Sequence, residues 1–184
     1  MLSSTRLPSM KTKIKKIKSW NGAAKRAVAE IEKSSSGVSS RFTKVDTLTI
    51  RHEFEHLSGP HFSENKTAPE NVQKMWNGIV AEKWATLGAL ALTFAKSNSL
   101  DISNEYLLET LVRKQTDYGH NNIAKYGRQG LIIRVHDKIA RLENLIAKNE
   151  AAKNEPIEDT LLDIAGYSAI GIMWETGTFL LPLK

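Results

Sequence analysis

Apolar residues recur at helical spacing through most of the chain after its first third, and this period predicts four helices. We expect them to run from Pro69 to about Ala95, from about Ser103 to Thr116, from about Leu131 to Lys148 and from about Pro156 to Glu175. The last helix is apolar almost all round, so it should be the most buried. Short or moderate connections between these helices favour an all-α fold, a helical bundle over residues 69–184.

Two of the predicted helices carry apolar stripes, and such stripes face the interior of a packed helical domain. On the first helix the stripe consists of Val72, Met75, Trp76, Ile79, Val80, Trp84, Leu87 and Leu90. On the helix from Leu131 it consists of Leu131, Ile132, Val135, Ile139, Leu142 and Ile146.

The region before Pro69 has a weaker pattern. A short helix is predicted from Ala23 to Lys33, and the serines and glycine from Ser34 to Ser40 then predict a linker. The segment from Val45 to Phe62 is ambiguous, because its start alternates like a strand whereas residues 50–57 suit a helical turn or two. We therefore divide the chain into a basic arm with a linker (1–40), an irregular connecting segment (41–68) and the helical domain (69–184).

The basic charge of the chain is concentrated near its N-terminus. Residues 1–46 hold eleven Lys or Arg residues against three acidic ones, a net charge of +8, whereas the remainder holds fifteen basic and seventeen acidic residues, a net charge of −2. Ile14, Ile17 and Trp20 lie at helical spacing among these lysines. The basic arm therefore suits a phosphate backbone or a membrane surface, a transit-like leader, or a solvated extension without a partner.

Cysteine is absent, which excludes disulfides, thiolate metal sites and cysteine nucleophiles and fits a reducing cytoplasm. No apolar run approaches the roughly 20 residues of a membrane span. We expect a cytoplasmic protein without a membrane span.

Charged side chains recur inside the apolar pattern of the predicted helix from Leu131. Arg134, Asp137, Lys138 and Arg141 stand at i, i+3, i+4 and i+7, so they share one face. They form either a surface ladder with an Asp137–Arg141 pair, or a cationic rail for a phosphate in which Asp137 positions the arginines.

An acidic pair lies on the last predicted helix. Asp163 stands one turn beyond Asp159 on a helix with little polar face, so its carboxylate needs a cationic partner or a metal ion. The two aspartates can share one Mg²⁺, and the pair Glu105 and Glu109 can complete a cradle for a nucleotide polyphosphate. The simpler alternative is that Asp163 forms salt bridges with the cationic stripe, chiefly its arginines and Lys138.

The run His52-Glu53-Phe54-Glu55-His56 is a literal HExxH, the zinc-binding pattern of metalloproteases. Its context argues against zinc, because the residues before it alternate like a strand and Gly59-Pro60 cuts any helix short. We expect histidines on a short surface segment rather than a zinc site at His52 and His56.

Three charged motifs follow one another in the last third of the chain: Lys114-x-x-Asp117-Tyr118-Gly119, then Arg134-x-x-Asp137-Lys138-x-x-Arg141, then Glu158-Asp159-x-x-x-Asp163-x-x-x-Tyr167. In order and spacing they resemble the "nucleotide modification associated domain 1" family, which is carried mostly by phages. The resemblance implies an all-helical domain associated with nucleotide or modified-base metabolism, loosely similar to MazG-type all-α nucleotide pyrophosphatases.

One departure from the MazG-type pattern bears on the chemistry. Those enzymes bind Mg²⁺ through a compact EExxE cluster followed by ExxD on a second helix. Here the corresponding region offers only Glu105 and Glu109, and the counterpart position is Lys114-x-x-Asp117. Nucleotide binding without turnover therefore stays open beside cleavage.

We predict a phage-type nucleotide-binding protein linked to nucleotide or modified-base metabolism, with (deoxy)nucleotide pyrophosphohydrolase or phosphohydrolase as its candidate activity. The predicted catalytic residues are Asp117, Asp159 and Asp163, the last two as Mg²⁺ ligands. The predicted ligand-binding residues are Lys114, Tyr118, Gly119, Asn121, Arg134, Asp137, Lys138, Arg141, Glu158 and Tyr167. Two alternatives are a non-catalytic protein that sequesters a nucleotide and a nucleic-acid or virion-associated protein that uses the basic arm. We also expect a homo-oligomer, in the host cytoplasm if the chain is phage-encoded.

Overall fold

The computed structural model describes residues 16–59, 67–148 and 155–184. Every regular element in these ranges is helical, which confirms the predicted all-α class. The helices are α1 (Trp20–Arg41), α2 (Thr47–Ser58), α3 (Glu70–Ser97), α4 (Asn104–Tyr118), α5 (Asn121–Ala124), α6 (Gly127–Lys148) and α7 (Ile157–Glu175). The described ranges thus hold seven helices instead of about four, because the region before α3 adds two and the connection before α6 adds a short one.

Helices α3 and α7 form the centre of the molecule and share its most extensive helix–helix contact. Helix α1 packs against α3, α4 and α7, and α6 packs against α7 and α2. The close approach of α3 and α7 depends on a glycine, because a Cβ at Gly171 would lie 2.3 Å from Cδ2 of the buried Trp84. Helix α7 is buried on most of its surface, as its apolar sequence predicts.

The four helices predicted from the apolar period are present as α3, α4, α6 and α7. Ser103 caps α4, since its Oγ accepts a hydrogen bond from the N–H of Tyr106 at 3.1 Å. Gly119 ends α4 with a φ of 63°, in the region that favours glycine. Helix α6 begins at Gly127, one turn before the predicted start at Leu131.

Helix α1 continues through the segment predicted to be a linker, so the predicted helix end at Lys33 is wrong. The hydroxyl of Ser35 donates to the carbonyl of Ile31 at 3.2 Å, and that of Ser39 donates to the carbonyl of Ser35 at 3.0 Å. These serines therefore bond to the helix backbone instead of interrupting it. Val38 is fully buried beyond them, and its burial outweighs the weak helix propensity of the serines.

The ambiguous segment after Val45 is helical, not extended. Asp46 caps α2 by accepting a hydrogen bond from the N–H of Thr49 at 2.8 Å. Ile50, Phe54 and Leu57 then lie on one buried face. A helical period that starts at Ile50 thus decides the structure, and the alternation before it is incidental. The residues of this segment from Pro60 onward fall outside the described ranges.

Some predicted core positions are exposed. In α3 full burial begins at Val80, whereas Val72, Met75 and Ile79 are exposed and Trp76 is partly buried against the core. In α6 Leu131, Val135, Ile139 and Leu142 are buried as predicted. Ile146, near the end of α6, is exposed.

Residues 16–40 of the predicted basic arm are described, and most of them belong to α1. The inner face of α1 enters the core through Trp20, Ala24 and Ile31, while its lysines lie on the outer side. The motif that begins at Ile14 lies partly outside the described residues. Within the described ranges, no helix combines the length and the apolar character that a membrane crossing requires.

Candidate functional site

A cleft of about 370 Å³ opens between α4, α6 and α7, with the start of α1 at its base. Its charged lining comes from three helices: Lys114 on α4, Arg134 on α6 and Asp163 on α7. Two aromatic side chains, Tyr118 and Tyr167, also line it. The rest of the wall is mainly apolar and consists of Trp20, Leu107, Leu111, Ile123, Leu162, Gly166 and Ile170, with the polar residues Thr110, Gln115 and Asn122.

Asp163 is the charged centre of the cleft wall. Its Oδ1 lies 2.5 Å from Nζ of Lys114, and its Oδ2 lies 2.7 Å from Nζ of Lys138. The Asp163 side chain is only 12% exposed, whereas that of Lys114 is 48% exposed. One carboxylate therefore holds two ammonium groups from neighbouring helices, and one of the two still faces solvent.

These contacts shift the pKa values of the acidic and basic partners in opposite directions. Burial by itself would raise the pKa of Asp163, but the hydrogen bonds from Lys114 and Lys138 outweigh it and lower that pKa. Burial would likewise lower the pKa of Lys138, but the hydrogen bond to Asp163 and the negative charges of Asp163 and Glu155 together outweigh it and raise that pKa. Both groups are charged near neutral pH.

Arg134 lies beside the second aromatic residue of the cleft. Its guanidinium carbon is 6.0 Å from the ring centre of Tyr167, at the limit of a cation–π contact. Its Nη2 donates to the carbonyl of Asn122 at 3.5 Å, a long hydrogen bond. Arg134 forms no ion pair among the described residues. Its charge is therefore available to a ligand.

Arg141 has a structural position instead of a place in the cleft wall. It donates hydrogen bonds to Thr160 Oγ1 and to the carbonyl of Glu155, at the start of α7. The carboxylate of Glu155 also lies 3.8 Å from Arg141 and 3.6 Å from Lys138. Arg141 thus anchors the N-terminal turn of α7 to α6.

The structure brings five of the predicted site residues into one cleft: Lys114, Tyr118, Arg134, Asp163 and Tyr167. Lys138 joins them through Asp163. The other predicted residues do not line the cleft: Asp117, Gly119, Asn121, Asp137, Arg141, Glu158 and Asp159. Asp137 is exposed, and the predicted Asp137–Arg141 ion pair is not found among the described residues.

Of the two alternatives for Asp163, a shared Mg²⁺ or salt bridges with the cationic stripe, the structure shows salt bridges. Their partners differ in part from the expected ones. Lys138 is a partner, whereas Lys114 on α4 takes the place of the arginines. Which cations pair with Asp163 depends on the distance between α4 and α7. The sequence pattern of either helix alone does not indicate that distance.

The donor set around Asp163 does not suit Mg²⁺. Both carboxylate oxygens of Asp163 are paired with lysines. Within the described ranges, no three His, Asp or Glu side chains lie close enough together to hold a metal ion. Glu105 and Glu109 are exposed on α4. A hard cation prefers several anionic oxygens, so the arrangement favours ion pairing over metal binding.

The HExxH run lies on helix α2 with its glutamate turned inward. Glu53 is buried and its Oε1 lies 3.2 Å from Nζ of Lys83, so it joins α2 to α3. His52 and His56 are exposed, with ring centres 4.5 Å apart. A zincin requires the glutamate beside the metal, whereas here it faces away into an interhelical ion pair.

One buried polar residue of the cleft was missed by the sequence analysis. Gln115 is 7% exposed and lines the cleft beside Lys114. It stands one turn beyond Leu111 and two beyond Leu107, on the buried face of α4. The sequence signal that could have identified Gln115 as a site residue is a polar side chain at a core position of an amphipathic helix.

Comparison of the chain with protein-family models, with curated proteins and with solved structures found no match.

Proposed function

We propose that the cleft between α4, α6 and α7 binds a nucleotide. Two cationic side chains, Lys114 and Arg134, line the cleft with a single carboxylate, that of Asp163. Behind this wall Lys138 also holds Asp163, and Glu155 lies 3.6 Å from Lys138. These five groups together carry a net charge of +1. Such an excess in a partly enclosed site attracts an anionic group, and a forked guanidinium suits phosphate oxygens.

The remaining wall suits a flat apolar ring. Tyr118 and Tyr167 line the cleft, and leucine and isoleucine side chains cover its base. Aromatic faces stack on nucleobases, and this stacking contributes about 1–3 kcal/mol per base. The volume of about 370 Å³ falls within the range of small-molecule sites. A ligand with both a planar ring and a phosphate matches the two halves of the wall.

The observation that carries the proposal is the meeting of Lys114 and Arg134 with Tyr118 and Tyr167 in one cleft. The site favours binding over hydrolysis. Asp163 is the only carboxylate in the described cleft wall, and its lowered pKa and its two lysine partners make it a weak general base. We therefore favour a protein that sequesters or carries a nucleotide, with phosphohydrolase activity as the alternative.

Calorimetric titration of the full chain with nucleoside 5′-mono-, di- and triphosphates tests the proposal, with inorganic phosphate as the reference. Lys114→Met should weaken nucleotide binding by about tenfold or more, because a charge-assisted hydrogen bond contributes about 1.5–3 kcal/mol. Arg113→Met is the matched control, since it removes the same charge from the next residue of α4, which is exposed and outside the cleft wall.

Equal losses in the Lys114 and Arg113 variants, or no nucleotide binding by the wild-type chain, would refute the proposal. If nucleotide binds, chromatography of the ligand after heat denaturation of the complex distinguishes sequestration from hydrolysis. Recovery of intact nucleotide supports sequestration, and release of phosphate or pyrophosphate supports hydrolysis.

A further inference from the structure

We infer that Gln115 reads the base of the bound nucleotide, and that the ligand enters base first with its phosphate at the mouth of the cleft. This inference rests on the proposed nucleotide-binding function and adds to it a direction of binding and a specificity-determining residue.

The amide of Gln115 is buried, unpaired and in contact with the cleft. The residue is 7% exposed, and its side chain forms no hydrogen bond with any described residue. Two other groups of the cleft wall, Thr110 Oγ1 and Trp20 Nε1, are also unpaired but are sealed from solvent. The Gln115 amide is not sealed in this way. Its remaining accessible surface therefore faces the cleft that it lines.

The unpaired amide of Gln115 can pair with a ligand, because part of it stays accessible from the cleft. The group offers two N–H donors and one carbonyl acceptor in a plane. Water can reach these atoms, but a ligand that fills the cleft displaces that water. A ligand that leaves the amide without a partner then loses about 1–3 kcal/mol relative to one that pairs with it.

The chemistry of the amide selects the base as that partner. A planar glutamine amide pairs with a base edge that presents an adjacent donor and acceptor, as in the pairing of Gln with adenine N6 and N7. A phosphate presents acceptors only, so it cannot satisfy the carbonyl of Gln115. The two cationic residues of the wall supply what the phosphate needs.

The exposure of the wall residues sets the direction of binding. Trp20 and Leu107 are fully buried, and Gln115 is nearly so. Lys114 is 48% exposed and Tyr118 is 66% exposed, so these residues lie at the mouth. Of the two tyrosines, the half-buried Tyr167 is then the one that can stack on a base held deeper in the cleft. Burying a phosphate away from water is costly, whereas burying a base is favourable. The base therefore occupies the inner end beside Gln115, and the phosphate stays near Lys114.

Calorimetric titration of three full-length proteins tests this assignment: the wild-type chain, Gln115→Met and the control Gln129→Met. Methionine keeps the length and fits apolar surroundings, but it cannot pair with a base. Gln129 is exposed on α6 and outside the cleft wall. Each protein is titrated with the four common nucleoside 5′-monophosphates and with ribose 5-phosphate, which lacks the base.

Gln115→Met should weaken binding of the preferred nucleotide by roughly 10- to 100-fold, since about 1–3 kcal/mol of pairing is lost. The affinities of this variant for the four nucleotides should then become similar. Its affinity for ribose 5-phosphate should change less than about twofold on this account. Gln129→Met should match the wild type for every ligand. If Gln115→Met fails to fold, Gln115→Asn withdraws the amide by one methylene and should give the same pattern.

Two results would overturn the assignment. One is a Gln115→Met protein that keeps the wild-type affinities and base preference, and the other is an equal loss for nucleotides and ribose 5-phosphate. In both cases nucleotide binding by the wild-type chain, with its loss in Lys114→Met, leaves the proposed function standing. A wild-type chain that binds no nucleotide refutes the function and the assignment together.

Discussion

Nζ of Lys114 on α4 lies 2.5 Å from Oδ1 of Asp163 on α7, although 49 residues separate them in the chain. The second oxygen of the same carboxylate holds Lys138 on α6. Asp163 therefore joins three helices at the point where they border the cleft. Its contribution to stability and to ligand binding can be separated by experiment.

Replacing Asp163 with Asn should destabilise the protein by about 2 kcal/mol, because two lysines lose their carboxylate and one of them is largely buried. Urea unfolding followed by circular dichroism measures the change. Asp117→Asn is the matched control, since Asp117 is exposed on α4 and forms no ion pair with the described residues. A surface change of this kind should stay within about 0.5 kcal/mol. Equal effects of the two substitutions would contradict the structural role of Asp163.

The stability that Asp163 provides should disappear in acid. Its pKa in the folded protein is lowered from the ordinary value of 3.8, so the unfolded state binds a proton more readily. This contribution is present above the ordinary pKa and is lost as the pH falls through the lowered one. Glu143 also has a lowered pKa, because its carboxylate accepts hydrogen bonds from Arg51.

The free energy of unfolding, measured from about pH 6 to about pH 2, should therefore fall steeply for the wild-type chain and less steeply for Asp163→Asn. The residual slope of the variant comes from Glu143 and the other paired carboxylates. Parallel curves for the two proteins would show that the Asp163 pKa is not lowered in the folded state.

A buried ion pair joins the start of α6 to the end of α7. Nε of Arg128 donates to Oε1 of Glu175 at 2.6 Å, and the two side chains are 6% and 2% exposed. Arg128→Met alone should cost about 3–5 kcal/mol, because it removes the cation nearest to a buried carboxylate. The double variant Arg128→Met with Glu175→Met should regain part of that loss.

Thermal and urea unfolding of the single and double variants gives the coupling energy of this pair. The exposed pair of Lys74 and Glu70, 2.6 Å apart on α3, supplies the comparison. Lys74→Met should change stability by less than about 1 kcal/mol, since water already solvates both charges. A double variant no more stable than Arg128→Met would mean that the pair is not coupled.

Gly171→Ala should destabilise the protein by about 3 kcal/mol, at the upper end of the usual cost of overpacking. Its Cβ would lie 2.3 Å from the ring of Trp84, which is fully buried, so the side chain or one of the two helices must shift. Gly78→Ala is the opposite case on α3, where a Cβ meets nothing within 4 Å. That change should stabilise the helix by about 0.5–1 kcal/mol. Differential scanning calorimetry of both variants tests whether their stabilities change in opposite directions. Similar unfolding temperatures for the two variants would contradict the close contact of α3 and α7.

The helices that follow a strong apolar period could be predicted from the chain alone. The hydroxyl of Ser103 and the glycine at position 119 mark the ends of α4 in the sequence as they do in space. Such signals are local, because a cap or a helical period depends on residues within one or two turns. No such local signal indicates that α1 continues through Ser35 and Ser39, because the continuation depends on the burial of Val38 in the core.

The residues of the candidate site could be predicted from the sequence better than the contacts between them. Lys114, Arg134 and Asp163 stood out as charges within apolar helices, and all three line the cleft. The cationic partners of Asp163 could not be assigned, because the separation of α4 from α7 depends on core side chains of both. Gln115 was overlooked, although its place on the buried face of α4 was already visible.

The sequence by itself determined the helical class, the presence of α3, α4, α6 and α7 and the charged residues that interrupt their apolar faces, since each of these depends on neighbours along the chain. Only the tertiary structure decided that α1 lies at the base of a cleft, that Asp163 holds Lys114 and Lys138, and that Glu53 faces a lysine instead of a metal. Those outcomes follow from how helices distant in sequence share one core, because packing fixes which side chains come within bonding distance.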